Sequence, residues 1–228
     1  LVDQHGDARP HLIITDLLTH HRSGAGFPGA RIGDLSDYAQ YTLAADLLIS
    51  PVFSEQRPTA EILAEISDIT NSALVWSEGM LKVVPYADEP VHGNGASFLP
   101  NTAPLYDLTD DDFIAVNDPP VRVERKRSAD AYNEMAVEFE DRAADYSAGL
   151  VQVQDLANIE LYGLRPAARL SAKGITRTAV ARTVVQTRLQ RALYVCNEYV
   201  FRLPWRYCLL EPMDRVTLTD MMLGLDRV

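Results

Sequence analysis

The hydrophobic pattern of this chain changes period several times, and that change is its strongest constraint on fold. Leu12, Ile13, Ile14, Leu17 and Leu18 recur at helical spacing behind Pro10, a residue suited to a first helical turn. Ile62, Ile66 and Ile69, with Leu63 alongside, repeat at i, i+4 and i+7 behind Pro58 and Glu61. The longest such pattern covers the segment from Thr176 to Val195. There Val180, Ala181, Val184, Val185, Leu189 and Ala192 form a wide apolar band, and Arg177, Arg188 and Arg191 cluster on another face. Elsewhere the period falls to two: Val121 and Val123 alternate with Arg122 and Glu124, Met135 to Phe139 alternate likewise, and Val151 and Val153 alternate with Gln152 and Gln154. A chain that mixes both periods in this way reads as α+β.

Turn chemistry supplies the punctuation. The first helix should stop near HHRSGAGFPG, which holds three glycines and a proline between Ser23 and Gly29. Asp34 can cap a second helix, with Asp37 in its first turn and Leu35, Tyr38 and Thr42 as its inner stripe. After the third helix, LVW, SEG and MLKVV read as a hairpin with Gly79 at the left-handed turn position and Pro85 closing the second strand. Between Tyr86 and Pro120, prolines, glycines and the acidic run DLTDDDF suggest a connector with short extended pieces. The expected division is therefore a helical segment with a helix–hairpin module over 1–90, a connector over 91–120, and a β-rich domain with the long helix over 121–228. Beyond the long helix, NEYVFRL, RYCLL and RVTLT read as three strands whose short separations favour antiparallel pairing in a sheet or small barrel backed by that helix.

Composition narrows the function classes. The longest apolar runs are a handful of residues, far short of the roughly 18 to 20 needed to cross a bilayer, so a membrane span is not expected. Lys plus Arg number 21 against 32 Asp plus Glu, a net charge of -11. That balance disfavours nonspecific binding to duplex DNA, although a local basic patch stays open. The opening LVDQHGDARP shows no secretory signal pattern and no starting Met, which fits a piece cut from something longer. Cys196 and Cys208 are too few for a disulfide framework or a four-thiolate zinc site, and their apolar surroundings suggest buried thiols, with a cross-strand disulfide as the alternative.

Residues that could carry chemistry point mostly to structure. GAGFPG lacks the Lys and Ser/Thr of a nucleotide loop, and no G-x-S-x-G occurs, so Ser23 and Ser97 read as turn residues. His20 and His21 are adjacent and would diverge by about 100 degrees on a helix, so they, with His5, His11 and His92, read as surface or capping groups. Asp107, Asp110, Asp111 and Asp112 form the densest carboxylate cluster but lack the spacing, glycine and distal glutamate of a calcium loop. A solvated face or a helix cap is the expected use, a weak cation site the alternative. Paired carboxylates on distant strands could still form a glycoside hydrolase centre. Trp76, Trp205, Tyr199, Phe201 and Tyr207 read as core residues, with a recognition surface as the alternative.

Several phrases carry a family resemblance: DLLTHHRSGAGFP, NSALVWSEGMLKVVPYAD, PLYDLTDDDF, NEMAVEFEDRAADYSAGLVQVQD, IELYGLRP and LLEPMDRVTLTD, in this order over nearly the whole chain. Together they resemble the "Putative phage tail protein" family, which includes tail-tip or baseplate hub proteins of long-tailed phages and gene transfer agents. The resemblance implies tail-tube-like small β-barrel or sandwich modules with flanking helices, and hub trimers whose two related barrels per subunit mate with a hexameric tube. It implies a virion component assembled in the host cytoplasm. Its partners would be a trimeric ring of itself and tail-tube, distal tail, tip or fibre proteins, with DNA passing unbound.

The resemblance carries over fold positions only. These are the helix from Ile62 to Ile69, the hairpin Leu74 to Val84, Asn133 before NEMAVEFED, Gly163 and Arg165 in a connector to the long helix, and the turn Glu211 to Asp214. It implies no catalytic, cofactor-binding or metal residue and no enzyme activity. An acidic face, including Asp110 to Asp112 or Glu138 and Glu140, would border a central passage for DNA. A cell-wall or polysaccharide hydrolase and a carbohydrate-binding module remain the alternative readings.

Overall fold

The computed structural model describes residues 6–115 and 119–228, and within them the chain divides into two units. The first comprises the chain up to Pro100 together with Ala131–Tyr194, and the second comprises Asn101–Asp130 and Val195–Val228. The division follows contacts, whereas the expected one followed composition, so the two are drawn along different lines. Strand pairings among the described residues give four two-stranded ladders and one three-stranded sheet, and none closes into a barrel.

In the first unit, α1 (Pro10–Thr19) starts at its proline, and α2 (Ser36–Ala44) has Leu35 as its cap residue, so the expected cap Asp34 stands one position earlier, where its carboxylate accepts the Ser36 N–H at 2.9 Å and the Ser36 hydroxyl at 2.8 Å. Tyr38 and Thr42 are buried as expected, and Tyr41 joins them. Helix α3 (Thr59–Ile69) buries Ile62, Leu63, Ile66 and Ile69 and packs on the hairpin of β1 (Ser72–Ser77) and β2 (Met80–Pro85). Glu78 and Gly79 both have positive φ, 50° and 74°, the conformation whose twist matches that of the flanking strands.

Part of the expected connector is a second such hairpin. Strands β3 (Val91–Gly93) and β4 (Ala96–Phe98) turn at Asn94 and Gly95, again with positive φ at both positions. This hairpin lies against the end of α2: Asn94 Nδ2 donates to the Leu43 carbonyl at 3.0 Å, and a Cβ on Gly93 would fall 2.3 Å from the Ala44 oxygen. Only glycine permits that approach.

The remaining core is a sheet backed by the long helix. Strand β7 (Glu134–Asp141) pairs antiparallel with β8 (Ser147–Gln154) over its full length and in parallel with the short β9 (Leu170–Ser171). Helix α5 (Thr178–Tyr194) lies on β7 and β8, clusters Val180, Ala181, Val184 and Val185 with Val137, Phe139 and Val151, and also buries Leu189 and Leu193. Ala192 is half-buried at the edge of this band. The first half of IELYGLRP ends a helix, α4 (Leu156–Tyr162), capped by the Asp155 carboxylate on the Asn158 N–H and ended at Gly163.

In the second unit, β5 (Tyr106–Leu108) pairs in parallel with β11 (Val216–Leu218), and β6 (Val121–Arg125) pairs antiparallel with β10 (Asn197–Phe201). The last three expected strands therefore do not pair with one another. The segment before residue 131 supplies partners for two of them. RYCLL is no strand, because Trp205–Tyr207 behind Pro204 forms a 3₁₀ turn. Glu211 to Asp214 form the expected turn, with the Asp214 carboxylate accepting the Glu211 N–H at 2.7 Å. The thiols are also corrected: Cys196 is half-buried, Cys208 follows the 3₁₀ turn and is exposed, and they do not pair.

Candidate assembly surfaces

Buried polar groups organise the first unit from within. Asp7, whose side chain is 1% exposed, accepts hydrogen bonds from Ser50 Oγ at 2.7 Å, Thr176 Oγ1 at 2.8 Å and Arg177 Nε at 2.7 Å, and is also contacted by Arg142. Burial alone would raise its pKa, but these hydrogen bonds and the Arg142 charge outweigh it and hold the carboxyl below its ordinary value. Arg177 grips Asp46 with two further bonds of 2.9 and 2.8 Å. It thus stands apart from Arg188, which pairs with Asp68 at 3.1 Å, and Arg191, which donates to Asn71 and lies 3.9 Å over the Tyr86 ring. No spacing in the sequence links Asp7 to residues 46, 142 and 177.

Asn133 is a second internal staple. Fully buried, it donates to the Gly163 carbonyl at 2.7 Å and to Asn158 Oδ1 at 3.0 Å, and accepts the Arg165 N–H at 2.7 Å. It holds α4 and the segment after it against the start of β7. These polar groups satisfy one another.

The acidic run is drawn into structure as well. Asp112 is buried, bonds the Thr109 N–H at 2.8 Å, accepts the Tyr207 hydroxyl at 2.6 Å and pairs with Arg206. Asp107 accepts Thr217 Oγ1 and Arg227, while Asp110 takes the Met221 N–H at 3.2 Å and Asp111 is exposed. No group of three His, Cys, Asp or Glu among the described residues could hold a metal ion. His20 ends α1, and its Nδ1 accepts the Ser23 N–H at 3.1 Å, a capping use; His5 lies outside the described residues. His11 is partly buried, and its burial and Arg9 lower its pKa.

The surface tells a different story from the interior. Trp205 is 86% exposed and Met222 93% exposed, with Met221, Leu209 and Val200 also open to solvent in the second unit. In the first unit Leu156, Leu161, Tyr162 and Leu164 are exposed on and after α4, and Trp76 touches Phe27 edge-on while remaining more than half exposed. The tryptophans are thus surface groups, whereas Phe201 packs on Phe113 and Tyr207 on Tyr106. Two depressions in the first unit, one beside α3 with Phe53, Glu55 and Glu65, the other beside α5 with Arg188 and Arg191, contain neither tryptophan. Glu65 of the first is tied to Arg57 at 3.0 Å. No helix among the described residues is long and apolar enough to cross a membrane.

Solved chains similar to this one come from a gene transfer agent particle and from two prophages. A chain of the virion of a native gene transfer agent particle superimposes with a TM-score of 0.57 at 16% identity, over 89% of this chain and 47% of that one. The 43 kDa tail protein of prophage MuSo2 from Shewanella oneidensis gives 0.45 at 17% over 82% and 58% respectively, and the prophage tail protein gp18 from Listeria monocytogenes EGD-e gives 0.38 at 13% over 78% and 49%. The chain thus spans about half the length of the solved chains it resembles. A search of curated proteins finds no match. The likeness to the gene transfer agent chain is one of fold, an α+β arrangement. Residues 58–227 match the model of the family described as "Putative phage tail protein", and the chain belongs to that family.

Proposed function

We propose that this chain is a structural part of a phage tail, joining the tail tube to tip or fibre proteins at a tip or baseplate hub. The observation that carries this reading is the imbalance in the second unit. Its buried apolar side chains among the described residues are Leu108, Val121 and Leu218, while Trp205, Leu209, Met221 and Met222 face solvent. A unit that buries so little and exposes so much apolar surface gains most of its stability from neighbours.

In this role the work is geometric and needs no catalytic, cofactor or metal residue. Copies form a trimeric ring on the tube, small β modules provide its walls, and an acidic face with Glu138 and Glu140 borders the path of DNA without retaining it. Asp112 has no part in that face, because its carboxylate is spent on Thr109, Arg206 and Tyr207. The virion is the site of action and the host cytoplasm the place of assembly.

Imaging intact particles tests the reading. The expected result is density for this chain as a closed trimer at the distal end of the tube. Its location in the capsid, or turnover of purified peptidoglycan by the isolated chain with loss on Glu55→Gln or Glu65→Gln, would replace the structural reading with another.

A further inference from the structure

Residues 122–127, RVERKR, hold four basic side chains in six positions, the densest such run in a chain whose net charge is -11. They lie on β6 and just beyond it, and Arg122, Arg125, Lys126 and Arg127 are all exposed. Arg122 pairs with Glu124 at 2.7 Å, whereas Arg125, Lys126 and Arg127 have no ion-pair partner among the described residues. Among the described residues, three cations therefore have no counter-charge.

The backbone beside them is also open. Lys126 donates its N–H to the Cys196 carbonyl at 2.8 Å, so the hydrogen-bonded pairs of this ribbon continue at Glu124 with Glu198 and at Arg122 with Val200. The N–H and C=O groups of Val121, Val123 and Arg125 consequently point away from β10, along an edge that pairs with no other strand among the described residues. A two-stranded ribbon with a free edge is marginal alone and offers a template for another chain.

We infer that the Arg125 to Arg127 end of this edge docks an acidic surface of a second copy of the chain, an inference that rests on the assembly reading above. Charge selects the occupant. Copies that each carry -11 repel one another, and contact between them needs a place where positive charge meets negative. The same unit supplies the complement in its acidic turn, where Asp110 and Asp111 are exposed and Asp111 has no ion-pair partner among the described residues. Used once between each pair of neighbouring copies, edge to turn, the contact is head-to-tail, the kind that closes the ring of the assembly reading when the rotation allows.

The experiment uses the full chain in sedimentation velocity at several salt concentrations. The wild type associates, and association weakens as salt rises. Arg125→Glu/Lys126→Glu/Arg127→Glu raises the dissociation constant by about tenfold or more while thermal melting confirms an intact fold. Mixing it with Asp110→Lys/Asp111→Lys restores association that neither variant shows alone, and Asp111→Lys by itself keeps the Asp110 bond to Met221 intact as a control. Wild-type association that strengthens with salt, or a triple variant that associates like the wild type, overturns the inference and leaves the assembly reading standing. A wild-type chain that stays monomeric at low salt overturns the self-contact, and particle imaging then judges the tail role separately. Binding of labelled duplex DNA that the triple variant loses, with self-association unchanged, assigns the edge to phosphate and overturns the second-copy occupant.

Discussion

Replacing Asp7 by Asn tests whether a buried carboxylate, rather than apolar packing alone, secures the start of the described chain. Three donors converge on Oδ1, from Ser50, Thr176 and Arg142, and Arg177 Nε addresses Oδ2. An amide of the same shape can place its oxygen toward the three donors, but its NH₂ then faces Arg177 donor to donor. The charge that two guanidinium groups were built around is also gone. Breaking a buried ion pair costs about 3–5 kcal/mol. The side chains of Arg142 and Arg177 are 30% and 20% exposed, so water can partly take over, and Arg177 keeps Asp46. The lower end, about 3 kcal/mol, follows. For a chain of this size that corresponds to a fall in melting temperature of roughly 6–12 °C.

The pH dependence has a definite sign. The Asp7 carboxyl titrates below its ordinary value of 3.8 in the folded chain, so its contribution is complete above that value and is lost as pH falls through the lower, folded one. Wild-type stability therefore drops more steeply in acid than that of Asp7→Asn, and the two curves converge once pH has fallen through the lowered, folded value. Chemical denaturation at neutral and acid pH, read by tryptophan fluorescence and circular dichroism, measures both quantities. A neutral-pH difference under about 0.5 kcal/mol, or parallel acid profiles, would refute the reasoning.

Four further outcomes are expected. Asn133→Ala leaves the Gly163 carbonyl and Arg165 N–H without their buried partner and should cost about 2–4 kcal/mol, seen as a lower urea midpoint with an unchanged slope. Gly93→Ala forces a methyl group to within 2.3 Å of the Ala44 oxygen and should cost about 1–3 kcal/mol, whereas a serine at the exposed Ser97 position exchanged for threonine should be near neutral in the same melt. Trp205→Ala should change stability by less than about 0.5 kcal/mol yet reduce co-assembly with tail components in a reconstitution assay. Hydrogen exchange on the isolated chain should protect β7 and α5 far better than β6 and β10, with the latter gaining protection on assembly.

What the sequence made legible were the elements whose cause is local. Pro10 and Pro58 announce two helices, Gly79 a turn, and Val180 to Leu189 a helix face, because each depends on neighbours within a few positions. Asn94–Gly95 gave as clear a hairpin signal, but it sat among prolines and acids that suggest a connector, and the strands on either side are only three residues long. The pairing of β6 with β10 joins segments some 75 residues apart and in parallel β5 finds β11 across a longer gap, so neither partner could be chosen from strand propensity. The exposed tryptophans were missed for a related reason. Trp205 sits among residues that resemble a strand, and only the 3₁₀ turn behind Pro204 sends it outward. The basic edge was open to a simple local count of charge, which the strongly negative total conceals.

The two units invite different physical explanations for the same family role. The first has an apolar core in which α1, α3 and α5 meet the β7–β8 sheet, and it adds polar staples at Asp7 and Asn133 that specify which segments lie together. Such a body can hold its shape before it meets a partner. The second unit has strand pairs without a broad core, an open basic edge and a tryptophan almost fully in water. Surfaces of that kind are destabilising for a free chain and useful to an assembling one, because the apolar area and edge hydrogen bonds left unused in the monomer become the free energy of contact. A design that keeps the scaffold rigid and leaves the contact surface conditional ties the order of that surface to the arrival of the neighbour.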